Sequence, residues 1–416
     1  MTTLEDYCFQ EIQRCFRPAQ GNLQHPFLVP GGIFHDELWD WDSFWIVKGL
    51  GGVLDRMSPE LGEQFLAHAR GSWLDFLDNQ AANGAIPIMV KGGEADFFGC
   101  TKDSGIEFNH AKPVFGQYAL DLARFLGDFT WIAPRFDGLL HFYHRWTSRY
   151  GTDCGLLVWG SDVAIGVDND PTSYGRPEFS SANLLLNCLF YSDLKAASEI
   201  ARELGREEDA ARLAAQAKAL GEAIQRECWD PIDRFFYTVD VNVRDGRDHF
   251  LPGLNKGMDL SWRTVPVKFK VFTGFLPLWC GLATPEQARH LVEQHLLNTE
   301  EFLAPYGITS LARNERMFAP EIDSANPSNW LGPIWIVANY AIYAGLLRYG
   351  YTNEAADLAS RIHKLLEEDL AKTGCLHECY HPDTGAPNFN ARFLSWNVLA
   401  LLMQPSTELA NTTSPR

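Results

Sequence analysis

The chain of 416 residues contains no run approaching the roughly 20 consecutive apolar residues that a membrane span requires. It also lacks a basic excess: 35 Lys and Arg stand against 53 Asp and Glu, a formal net charge of −18. Nucleic acid and anionic membrane both need basic patches, so neither is expected as a partner. Gly-x-Gly-x-x-Gly and Walker-type loops are absent, which argues against dinucleotide and nucleoside triphosphate chemistry. No Gly-x-Ser-x-Gly elbow presents a serine nucleophile. Met1-Thr2-Thr3-Leu4-Glu5-Asp6-Tyr7 carries acids where a secretory signal has a basic start. Nine cysteines, odd in number and scattered, suit reduced thiols better than a disulfide framework. A cytoplasmic location is therefore expected. Cys375, His377, Cys379 and His381 alternate as zinc ligands on one side of an extended segment could, but no second Cys/His cluster accompanies them. No metal is expected.

What the sequence does contain is helical periodicity. Leu194, Ala197, Ile200, Ala201 and Leu204, then Ala211, Leu213, Ala214, Ala217 and Leu220, predict a helical hairpin within 191–228. Similar patterns recur at 5–16, 59–78, 113–126, 285–297, 333–349, 352–370 and 394–403. Gly and Pro gather between them, at 29–32, 151–177, 251–257, 303–308 and 381–387. Strand-like pieces are short, such as Arg234–Val239. No linker divides the chain and no repeat period marks a solenoid. The expectation is all-α: an (α/α)6 barrel, a toroid of six helical hairpins. It would form a single catalytic domain over residues 1–416, with active-site loops inserted between helices.

Two acids and several tryptophans carry the chemistry. Asp168 lies in Gly166-Val167-Asp168-Asn169-Asp170-Pro171, a loop by composition. Its approach, rich in Trp, Val and Ile, predicts a carboxyl with a raised pKa, as a general acid needs. Glu378 lies in Leu376-His377-Glu378-Cys379-Tyr380, in a loop closed by Pro382 and Gly385. Taken singly, each could be an ordinary turn or capping acid. Trp39-Asp40-Trp41-Asp42-Ser43-Phe44-Trp45 places carboxylates beside flat indoles, the pairing that grips a pyranose by its C–H face and its hydroxyls. On a helix, Asp36, Asp40 and Ser43 would share one face while Trp41 and Trp45 share another. Two separated acids in aromatic surroundings are what glycosidic cleavage requires.

These segments resemble glycoside hydrolase family 63 and its clan relatives, which include trehalase. The likeness is greatest to small bacterial members that act on mannosylglycerate or glucosylglycerate. Leu38-Trp39-Asp40-Trp41-Asp42-Ser43 resembles the family's substrate-gripping segment, and Gly166 to Pro171 its general-acid loop. Trp330-Leu331-Gly332-Pro333-Ile334-Trp335 resembles its Trp-Arg-Gly-Pro-x-Trp helix, and His377 to Gly385 with Ser395-Trp396 its general-base segment. The resemblance implies hydrolysis with inversion and no cofactor, with Asp168 as acid and Glu378 as base. It implies Trp39, Trp41 and Asp42 as sugar-binding residues, with Lys112, Trp330, Trp335, Tyr380 and Trp396 beside them. The expected partner is a small carbohydrate, an α-glucoside or α-mannoside. Leu331 departs from the family's Arg, and the Glu often found before the Gly of the acid loop is absent, with Ala164 nearby. A glycerate aglycone would need cations, for which Arg176, Arg313, Arg316 and Lys102 are candidates. Two other functions fit the same residues. A sugar epimerase would draw on His35, His110, His377 and His381, and a sugar-binding protein would need no catalyst.

Overall fold

Helices of two kinds alternate along the chain, and burial separates them. The computed structural model describes residues 3–103, 107–243, 262–321 and 328–405. Its helices are α1 (Leu4–Glu11), α2 (Asp40–Gly51), α3 (Pro59–Asp78), α4 (Phe115–Leu126), α5 (Phe136–Tyr150) and α6 (Leu184–Glu203). They continue with α7 (Glu207–Cys228), α8 (Leu276–Cys280), α9 (Pro285–His290), α10 (Ile336–Arg348) and α11 (Thr352–Thr373), before a 3₁₀ run at Ser395–Leu402. In α6, every residue from Leu184 to Phe190 is buried, so the helix is enclosed by protein. In α7, buried positions such as Ala210, Leu213, Ala217, Leu220 and Ile224 form one stripe, and the other face is charged. The pair α10 and α11 repeats the contrast.

The enclosed elements close on themselves. α2 packs on α4, α4 on α6, α6 on α8, α8 on α10, α10 on Ser395–Leu402, and that run packs back on α2. The one-sided helices lie outside: α3 against α2 and α4, α7 against α6, and α11 against α10. One continuous apolar cluster extends from Leu4 to Met403. Helix starts and stops follow local chemistry. Thr3, Ser58, Asn183 and Thr284 each accept a backbone N–H that their helix cannot pair. Gly127, Gly281 and Gly374 end α4, α8 and α11 in the left-handed conformation.

Several boundaries depart from the sequence pattern. The hairpin predicted within 191–228 begins earlier, at Leu184, where Asn183 caps it. Helix α9 passes into a wide π turn at Leu291–Leu296. Nothing in the periodicity announces α5, whose aromatic and histidine-rich stretch has weak intrinsic helix preference. The Arg234–Val239 piece is split: Phe235–Phe236 pairs with Trp229–Asp230, while Val239–Asp240 joins Ser181–Ala182 and Val265–Pro266. The Gly/Pro cluster at 251–257 lies outside the described residues. All nine cysteines are free and buried. Among the described residues no helix is long and apolar enough to cross a membrane.

This closure positions the site. Trp41 and Asp42 start α2, Lys112 precedes α4, Asp168 lies in the loop before α6, and Trp335 precedes α10. Glu378 and Trp396 lie ahead of and within the last enclosed run. All of these positions therefore gather at the ends where the enclosed helices begin. Asn187 of α6 anchors the approach to the Asp168 loop. Its amide donates to the Leu157 and Asn183 carbonyls at 2.8 Å each and accepts the Leu157 N–H at 2.8 Å, fully buried. Asn187→Ala leaves both backbone groups of Leu157 buried without a partner. The expected loss is about 2–4 kcal/mol in urea unfolding, and a loss under about 0.5 kcal/mol would contradict this anchoring role.

Candidate active site

The Asp168 loop is held from three sides. Gly166 has φ +83°, and a Cβ there would stand 2.6 Å from Lys112 Cε and 2.9 Å from Trp41 Cζ2. Only glycine lets the backbone pass so close to the α2 start. Asn169 ties the loop to the tryptophan segment: its Nδ2 donates to Asn329 Oδ1 at 3.0 Å, and its Oδ1 accepts the Trp330 N–H at 2.6 Å. Asp170 is buried and accepts the Thr172 N–H and hydroxyl at 2.8 Å and the Asn183 amide at 2.9 Å. The turn bonds that an ordinary turn acid at Asp168 would make are thus made by Asp170, and the half-buried Asp168 lines the cavity.

Glu378 is fixed by a short ribbon. Its N–H donates to the Phe389 carbonyl at 3.0 Å, where Cys379–Tyr380 pairs with Pro387–Phe389. Trp396 Nε1 donates to the Glu378 carbonyl at 3.1 Å, and Asn390 Nδ2 donates to its Oε2 at 2.9 Å. Behind it, Asp369 accepts hydrogen bonds from Tyr380 Oη at 2.9 Å and His377 Nδ1 at 2.8 Å. Burial pushes the Glu378 carboxyl up to about 8; the Asn390 bond opposes this, and the charges of Asp42 and Asp168 add to it. Burial likewise pushes Asp42 up to about 7, against the 2.7 Å hydrogen bond from Ser395 Oγ.

These acids open on one cavity of about 520 Å³, lined by Trp39, Trp41, Asp42, Lys112, Asp168, Glu378 and Trp396 among others. A larger cavity of about 1100 Å³ lies at the opposite helix ends, around Lys48, Asp121, Arg124 and Arg348. It holds none of the motif residues, and its Lys48 and Asp121 are already paired at 2.6 Å.

Three residues expected to touch substrate lie elsewhere. Trp330 and Trp335 are buried and stack face to face at 3.8 Å, and neither is among the described lining residues. Trp330 leans on Trp41 at 6.3 Å and Trp335 on Trp396 at 5.6 Å, so the pair backs the wall that the other two indoles form. Tyr380 is also buried, with its hydroxyl engaged by Asp369. Lys112 does line the cavity, but its ammonium binds Asp40 at 3.0 and 3.1 Å, 5.0 Å from the Trp41 ring. Asp40 therefore finds its donors within the protein rather than from a sugar. Asp36 is exposed and precedes α2, so the helical face expected for it does not form.

Other readings of the sequence find no geometry. His110 is buried among Phe142, Trp146 and Tyr150, and desolvation holds its pKa well below the usual value. None of His35, His110, His377 and His381 is among the described lining residues. His377 is bound to Asp369 and His381 lies 3.7 Å from Glu321, and no metal-type cluster forms among the described residues. Motif reasoning missed Asn390, which has φ +51° and whose Oδ1 also accepts the Ile33 N–H at 2.9 Å. It missed the apolar wall of Phe34, Phe98, Phe389 and Phe393 too, which three segments far apart in sequence bring together.

The model of the mannosylglycerate hydrolase MGH1-like glycoside hydrolase domain matches residues 38–396, and a trehalase model matches residues 12–57. The probable mannosyl-oligosaccharide glucosidase of Schizosaccharomyces pombe is 27% identical over 272 residues, 62% of this chain and 30% of that protein. The mannosylglycerate hydrolase of Thermus thermophilus is 30% identical over 155 residues, 35% of this chain and 32% of that one. The matched stretch thus spans about a third or less of these relatives. Among solved structures, a family 63 mannosylglycerate hydrolase from Thermus thermophilus in complex with glucose gives a TM-score of 0.67 at 20% identity. That match covers 96% of this chain and 99% of the other. Neutral trehalase Nth1 from Saccharomyces cerevisiae gives 0.64 at 20% identity, covering 93% and 75%. At such identity these likenesses establish the fold. With the family model spanning both acids and all four motifs, the chain belongs to the MGH1-like glycoside hydrolase domain family.

Proposed function

We propose that the chain is an (α/α)6-barrel glycoside hydrolase, one catalytic domain across residues 1–416, that cleaves a short α-glucoside or α-mannoside with inversion. One observation carries this reading: Asp168 and Glu378, far apart in sequence, face a single indole-walled cavity together with Asp42. In this reading Asp168 protonates the glycosidic oxygen as the bond breaks. Glu378 takes a proton from the water that attacks the anomeric carbon from the opposite face, and the sugar leaves with inverted configuration. The Asn390 bond to Glu378 Oε2 leaves the other oxygen for that water. Trp41, Trp396 and Trp39 supply flat faces for the sugar, and Asp42, steadied by Ser395, supplies an acceptor for its hydroxyls. Lys112 acts one step back, holding Asp40 and Trp41 in place. No step needs a cofactor. Candidate substrates include glucosylglycerate, mannosylglycerate and α-linked disaccharides.

A second assignment has one observation behind it. A glutamate raised to about 8 also suits a proton donor, so Glu378 could be the acid and Asp168 the base. Glycosyl fluorides separate the two, because fluoride leaves without protonation. Asp168→Asn is expected to lower turnover of an O-linked α-glycoside by about 10²–10⁴ while retaining cleavage of the α-glycosyl fluoride. Glu378→Gln is expected to lose both. The reverse pattern would exchange the roles, and full activity in both variants would refute the proposal.

The acid limb of kcat/KM should lie near 8, well above the ordinary glutamate value, because Glu378 must ionise in the free enzyme. Asp42→Asn removes a neighbouring negative charge and should move that limb to lower pH, whatever activity remains. A limb between about 4 and 5 in both proteins would contradict the environment described for Glu378. A crystal structure with bound sugar should place the Asp168 and Glu378 carboxyls roughly 6.5–9.5 Å apart, and about 5 Å would point to retention instead.

A further inference from the structure

We propose that Asn390 is a positioning residue that fixes the side-chain torsion of Glu378 and ties it to the Gly31–Phe34 turn at the cavity mouth. The inference rests on the glycosidase reading, in which Glu378 handles the attacking water, and it adds a coupling between the mouth and the reacting centre. Glu378 needs such a hold. The last torsion of a glutamate is broad, so burial alone does not choose which oxygen faces the water. Asn390, itself buried, makes that choice: its Nδ2 donates to Oε2 at 2.9 Å. The amide cannot be turned round, because its Oδ1 accepts the Ile33 N–H at 2.9 Å and a backbone N–H only donates. Glu378 therefore meets the donor end of the amide.

The chain is shaped to bring turn and amide together. Asn390 has φ +51°, a region that asparagine enters more readily than most residues. The turn is closed by the Phe34 N–H on the Gly31 carbonyl at 3.1 Å, and it lies on the segment that follows Asn390. There the Leu394 and Ser395 N–H groups both donate to the Pro30 carbonyl at 3.0 Å, and Gly31 bridges to Phe393. A Cβ on Gly32, where φ is +61°, would stand 2.0 Å from Asn390 Oδ1, so the turn settles against the amide only with glycine there. Ile33 and Phe34 line the cavity, while Gly32 is not among the described lining residues. A leaving group resting on Ile33 and Phe34 thus bears on the main chain that orients Asn390, and through it on Glu378. Asp42 from the start of α2 and Asp168 from its loop also act on Glu378: both raise its pKa, whereas the Asn390 donor lowers it.

Asn390→Gly keeps the backbone conformation and removes the amide. In the full-length protein, kcat on an O-linked α-glycoside should fall about 10–10²-fold, with KM within about threefold. The α-glycosyl fluoride should lose the same factor, since water is activated in both reactions. A loss confined to the O-glycoside would assign Asn390 to the acid and overturn the proposal. Asn390→Asp keeps an acceptor for Ile33 but loses the donor, so its acid limb of kcat/KM should move to higher pH. Altered stability with kcat and limb as in the wild type would make Asn390 merely structural. Gly32→Ala should lower kcat on the fluoride too, although fluoride has no aglycone to touch the turn. If that variant does not fold, Ile33→Gly frees the same backbone and should do likewise. A change in KM alone would overturn the link to the mouth. If the wild type cleaves neither substrate, the glycosidase reading has failed, and the Glu378 carboxyl itself decides the proposal. Infrared difference spectra against Glu378→Gln should then show it ionising at higher pH in Asn390→Gly than in the wild type, and an unmoved titration would overturn the proposal.

Discussion

The hydrogen bond from Ser395 Oγ to Asp42 Oδ1, 2.7 Å long across 353 residues, joins the first enclosed helix to the last enclosed run. Everything at the site depends on that closure. Asp42 starts α2 on one side of it, and on the other Trp396 donates to the Glu378 carbonyl and meets Trp41 edge-on at 5.7 Å. If α2 and Ser395–Leu402 did not pack, Glu378 would have no fixed position relative to the Trp41 and Trp396 indoles. The buried Asp40–Lys112 pair makes a second tie, linking the α2 start to the segment before α4. Removing either partner would leave an uncompensated buried charge, a strongly destabilising change.

Closure also sets the electrostatics. Three acids converge on one cavity, and burial holds two of them well above the ordinary carboxylate range. Such crowding opposes folding and persists where function asks for it. The scaffold counters it with donors placed on individual acids: Ser395 for Asp42, Asn390 for Glu378, and Lys112 with the Trp41 N–H for Asp40. The tryptophans divide the remaining work. Trp41 and Trp396 reach the cavity, while the stacked Trp330 and Trp335 stiffen them from behind.

Much of this was legible in the chain, for physical reasons that can be named. The 59–78 helix could be read because Ser58 and Pro59 mark its start and its apolar spacing is regular. The segment around Asp168 could be read as a loop because Gly166, Asn169, Asp170 and Pro171 are turn-forming residues, and the structure gives Gly166 and Asn169 further duties of close approach and bridging. What could not be read were contacts that exist only after the ring closes. Asp40 and Asp42 look alike beside Trp41, and only the fold gives one to Lys112 and the other to the cavity. Trp330 and Trp335 were expected at the site from a resemblance yet lie one layer back, because a motif fixes neighbours along the chain and not depth within it. Asn390 had no signal, since its position matters only through Glu378 and Ile33.

The central claim is that Asp168 and Glu378 work on opposite faces of the scissile bond, with water between base and sugar. Proton NMR of the first anomer released from an α-glucoside or α-mannoside tests it most directly. Inversion predicts that the β-anomer appears first and the α-anomer grows only by mutarotation. Initial release of the α-anomer would contradict the account and make one of these carboxylates a nucleophile.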